Sequence, residues 1–92
     1  MTSICDTVAA CIREGATLAA GLATAATVLE AERGTRVSFC RLYGRRWSHV
    51  AGSPGAVLPE ARIGLAPGWG VIVENNALTE TEWCEIGALL PD

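Results

Sequence analysis

The sequence predicts an α+β domain: a long N-terminal helix, two β-hairpins forming a four-stranded, mainly antiparallel sheet, and a short C-terminal helix, in the order α-ββ-ββ-α. Three observations predict it. A heptad seam runs through the first third of the chain, alternation punctuated by glycine and proline follows from Thr35, and a helix-capping signature begins at Thr79. Residues 1–92 read as a single domain.

The first helix rests on Ile4, Val8, Cys11, Gly15, Leu18, Leu22, Ala25 and Leu29, whose gaps of four and three alternate strictly. That spacing puts them on one stripe of a helix capped by Ser3 and stopped by Gly34 after basic Arg33. About 30 residues at ~1.5 Å each make a rod of roughly 45 Å, whereas a compact domain of this length is about 30 Å across. The helix therefore either breaks at Gly15 or Gly21, or shares its seam with another chain. Gly15, Ala19, Gly21 and Ala25 favour close backbone approach over interlocking knobs.

From Thr35 to Tyr43 the residues are β-branched, aromatic and alternating, as in a strand. A two-residue Gly44-Arg45 loop, with Gly44 at the positive φ of a type II′ turn, would set Leu42 opposite Trp47, Cys40 opposite His49 and Phe39 opposite Val50. Two prolines and two glycines between Gly52 and Pro59 make a loop that Val57 and Leu58 pin to the core. Arg62–Ala66 and Trp69–Glu74 form the second hairpin around Pro67-Gly68, a pair that suits a loop longer than two residues. Its two faces read as Ile63, Leu65 and Ile72 on one side and Trp69, Val71 and Val73 on the other, so the sheet needs two covers.

Asn75-Asn76 turn the chain into the last helix. Thr79 and Glu82 form a capping box, Leu78 can staple onto Trp83, acidic residues crowd the first turns, and Pro91 ends the helix.

Half of the residues are hydrophobic, and every one of the seven basic residues is arginine. The net charge of −3 argues against a general nucleic-acid binder. Residues 1–32 carry −3, residues 33–73 carry +5 and residues 74–92 carry −5, so a basic middle lies between acidic ends. Acidic helices and basic strands would complement each other within the fold or across a dimer. Asp6 and Arg13-Glu14 interrupt any leader-like apolar run, and Gly15–Leu29 is too short to span a bilayer. A cytoplasmic protein is expected, with no membrane contact and with Cys5, Cys11, Cys40 and Cys84 as free thiols.

His49 is the only histidine, so a Cys40–His49 thiol dyad is the one catalytic arrangement to weigh; no third group supports it, and no catalytic residue is assigned. Cys5 and Cys11 stand on different faces of their helix and no close ligand pair exists, so neither metal nor cofactor is expected. The glycine-rich stretches lack the ending of a phosphate-binding loop. Arg41, Arg45 and Arg46 with Tyr43 and Trp47 form the best ligand-binding candidate, since guanidinium groups beside aromatic rings suit a nucleotide, single-stranded nucleic acid or an acidic peptide.

The function expected is that of a non-enzymatic interaction or assembly module. It is read as a homodimer, or as binding a protein partner, through Ile4, Val8, Leu18, Leu22 and Leu29 of the helix seam and an apolar sheet face. The anion-binding patch on the first hairpin is the alternative.

Overall fold

The computed structural model describes residues 3–52, 62–65 and 68–90. Three helices and four strands follow in the order α1 (Ile4–Glu14), α2 (Leu18–Arg33), β1 (Arg36–Tyr43), β2 (Arg46–Gly52), β3 (Arg62–Gly64), β4 (Trp69–Glu74) and α3 (Glu80–Ala88). The expected helix start and stop are present: Ser3 accepts from the Asp6 amide at 3.1 Å, and Gly34 takes a left-handed φ of 67°. Between them the helix is broken. Gly15 turns extended, and Thr17 starts α2 by accepting from the Ala20 amide at 3.1 Å.

The break resolves the length conflict. The 16 residues of α2 make a rod of about 24 Å, which fits within extents of 37 × 26 × 22 Å. The small residues of the seam do permit close approach, but the partner is the chain's own second helix. A Cβ at Gly21 would stand 2.8 Å from the Ile12 Cα, and one at Gly15 would stand 2.6 Å from the Gly21 nitrogen. Helix α2 continues through Gly21 without a break.

The strands form one antiparallel sheet in the order β2-β1-β4-β3. Gly44 has a φ of 64°, and Leu42 faces Trp47 and Cys40 faces His49, as the two-residue turn requires. A register shift between Phe39 and Cys40 then sets Phe39 opposite Ala51 rather than Val50. In the second hairpin Ile63 faces Val71 and Arg62 faces Ile72. Ile63 therefore shares a face with Val71, and Ile72 lies on the other face, contrary to the grouping read from sequence. Val57, Leu58, Ala66, Pro67 and Pro91 lie outside the described residues.

One face of the sheet takes all three helices. Val37, Phe39, Trp69, Val71 and Val73 pack with Ile4, Val8, Leu22, Leu29, Trp83 and Ile86 in a single core. The helix layer is tied to the sheet at one corner, where basic and acidic blocks meet inside the fold. Arg33 donates to both carboxylate oxygens of Glu82, at 3.2 and 2.8 Å, and to the Ala77 carbonyl at 3.2 Å. Arg36 lies 3.7 Å from Glu30 and from Glu74. Thr35, fully buried, donates to the Asn75 carbonyl and accepts from the Ala77 amide, and the Asn76 side chain accepts from the Leu78 amide and the Trp83 indole. The capping box of α3 is complete.

Candidate functional site

Strand alternation puts Ser38, Cys40, Leu42, Trp47, His49, Arg62, Gly70 and Ile72 on the face opposite the helices. Trp47 lies flat across this face. Its ring occupies the space a Cβ on Gly70 would need, 2.6 Å from two of its carbons, so glycine at 70 is what lets the indole settle onto the sheet. The guanidinium of Arg62 stacks over the same ring, 5.2 Å from its centroid. Beside them Ser38 Oγ and His49 Nδ1 are 2.7 Å apart, with Cys40 Sγ 3.8 Å from the same hydroxyl. Ser38 and Cys40 are buried beneath this layer, while Leu42, Trp47 and Ile72 are half-buried and His49 and Arg62 are exposed.

The five residues of the expected ligand patch do not share one surface. Arg41 points to the helix side, where its guanidinium stacks 4.8 Å over Trp69. Tyr43 and Arg46 face one another at the hairpin end, with Tyr43 64% exposed, and Arg45 sits in the turn. Trp47 alone is on the opposite face, and its cationic neighbour is Arg62. Trp47 and Trp69 each meet an arginine from a different strand, which no local spacing announces. Arg45, Arg46 and Arg62 make no ion pair among the described residues.

The expected helix contact residues are placed just as plainly. Ile4, Val8, Leu22 and Leu29 are at most 5% exposed within the chain's own core, and Leu18 packs against that core half-buried. The fold itself occupies this seam.

All four cysteines are free thiols. Cys40 does face His49, but His49 turns its Nδ1 to Ser38, and burial pushes the Cys40 thiol up despite the opposing Ser38 hydroxyl and Arg62 charge. Cys5 is pushed up to about 12, first by burial and then by Glu85, Glu82 and Asp6; it donates to the Glu82 carbonyl at 3.6 Å. Cys11 is likewise pushed up by burial and by Glu14. Cys84 is exposed at the lip of a groove of about 330 Å³ between β3 and α3, which Ile63, Gly64, Leu65, Asn76, Glu80 and Trp83 complete. Among the described residues there is no cluster of three or more metal-ligating side chains, and no helix is long and apolar enough to cross a membrane. No known protein family, curated protein or solved structure matches this chain.

Proposed function

We propose that this protein is a non-enzymatic protein–protein interaction module that assembles with a second copy of itself through the helix-free face of its sheet. The observation that carries this reading is the unequal treatment of the two faces. All three helices pack on one, while Leu42, Trp47 and Ile72 remain half-buried on the other. A chain of this length gains little core alone, and a two-fold contact covers the same patch on both copies. The helix seam contributes indirectly, by packing the opposite face of the sheet into the core. Light scattering across a dilution series should give twice the 9.6 kDa of one chain, and Ile72→Asp should return the mass to a single chain while circular dichroism stays unchanged. A wild-type protein of one-chain mass at every concentration would remove self-association.

A second reading has its own observation, the Arg62 guanidinium stacked on Trp47 beside Ser38 and His49. There a nucleotide, a single-stranded nucleic acid or an acidic peptide would quench or shift tryptophan fluorescence in a manner weakened by salt.

A further inference from the structure

The groove between β3 and α3 lies at the sheet's edge, on a different surface from the helix-free face. Among the described residues, strand β3 pairs with β4 on one side only. The Leu65 amide donates to the Trp69 carbonyl at 3.1 Å. Antiparallel ladders alternate, so Ile63 also bonds inward to Val71, while the backbone N–H and C=O of Arg62 and Gly64 point away from β4. These are the groups an added strand would use.

Gly64 is the second observation. Its φ is not positive, and among the described residues nothing lies within 4 Å of where its Cβ would stand. Among the described residues neither conformation nor packing calls for glycine there, although glycine inside a strand costs about 0.5–1 kcal/mol relative to alanine. A bare backbone at an edge admits another backbone closely. The groove beside it is walled by Ile63, Leu65 and the buried Trp83, and Glu80 stands on its rim with no ion pair among the described residues.

We infer that this groove binds an extended peptide segment of a partner protein, which adds a fifth strand along β3, seats an apolar side chain against Ile63, Leu65 and Trp83, and sets a basic side chain against Glu80. Alternate side chains of a strand share a face, so the basic residue stands two positions from the apolar one. Main-chain bonds to Arg62 and Gly64 supply register, and the pocket and carboxylate supply sequence preference.

The test uses the full chain and three capped hexapeptides: Val-Val-Lys-Lys-Val-Val, in which each lysine shares a face with the valines two positions away, the same peptide with glutamate for lysine, and the lysine peptide with its backbone amides methylated. The lysine peptide should bind saturably at or below about 1 mM, with NMR shifts gathered at residues 62–65 and 80–84 and slowed alkylation of Cys84. The glutamate and methylated peptides should bind at least tenfold more weakly. Glu80→Lys should exchange the preference between lysine and glutamate peptides. Gly64→Pro removes an outward donor without touching the β4 ladder and should weaken binding by a similar factor; the methylated peptide makes the same test with no variant at all. Equal binding of the methylated peptide, shifts confined to other surfaces, or no saturable binding would overturn the inference, as would concentration-dependent protection of residues 62–65 without peptide, which would place a second copy in the groove. Because Ile72 lies on the opposite face, Ile72→Asp should leave peptide binding intact, so this inference and the self-association reading fail separately.

Discussion

The two faces of the sheet solve burial differently. On the helix side, Phe39, Val71 and Val37 meet Leu22, Leu29 and Val8, and side chains of both layers are almost wholly removed from water. On the other side one indole lies along the strands, an arginine lies along the indole, and a serine–histidine pair completes the layer. The first arrangement interlocks two independent elements and tolerates neither charge nor added volume. The second is a surface layer folded down upon itself, in which Leu42, Trp47 and Ile72 stay half-buried.

A charge on each face gives the sharpest contrast. Leu22→Asp places a carboxylate where exposure is nil, at a cost of at least about 4 kcal/mol, a large part of the about 5–15 kcal/mol available to a domain. Denaturant melts should show the variant largely unfolded, whereas Ile72→Asp should stay folded and lose about 1 kcal/mol or less. A folded, merely monomeric Leu22→Asp would mean that the seam is a surface after all.

Glycine-to-alanine changes make the next comparison. Helix propensity alone favours Gly21→Ala by about 1 kcal/mol. The new methyl would meet the Ile12 Cα and the Cys11 carbonyl at 2.8 and 2.9 Å, and backbone cannot swing aside. We expect the clash to win, with a net loss of about 1–3 kcal/mol in urea titrations. At Gly70 the obstacle is the far end of the Trp47 ring, which is free to tilt outward, so Gly70→Ala should cost about 1 kcal/mol and redden tryptophan emission. A larger loss at Gly70 than at Gly21 would reverse the ranking of the two faces.

The smallest effect is at the ion pair that joins α2 to α3. Arg33, and then the Thr79 amide, hold the Glu82 carboxyl below its ordinary value of 4.5. A lowered folded value means that this contribution is complete above about pH 4.5 and disappears as pH falls through the folded value. Thermal melts of the wild type should therefore weaken below pH 4.5 more steeply than those of Arg33→Met, which lacks the pair.

Local signals were legible in the sequence because their partners are near in the chain. Ser3, Gly34, Gly44 and the Thr79–Glu82 box each act within four residues and stand where their chemistry requires. The break at Gly15 was visible only as one of two outcomes, because both arms of the folded-back helix face the same core and keep the heptad in phase. The Phe39/Cys40 register shift has no side-chain signature, and the faces of the second hairpin depend on a loop length that pattern does not fix. The candidate site was harder still. Trp47 and Arg62 meet across strands that follow one another in the chain but stand at opposite ends of the sheet, so the arginines nearest Trp47 in sequence are not the one that stacks on it.

The order β2-β1-β4-β3 also sets how the chain can find this structure. Each hairpin closes on itself over a few residues, but the central β1/β4 ladder joins positions 28 apart at Arg41 and Trp69 and 38 apart at Arg36 and Glu74. Closing so long a loop is entropically costly before any contact rewards it. The helix pair and the two hairpins are thus the fast, independent pieces, and zipping β1 to β4 is the slow event, the moment at which Phe39 and Val71 first become a common floor for α2.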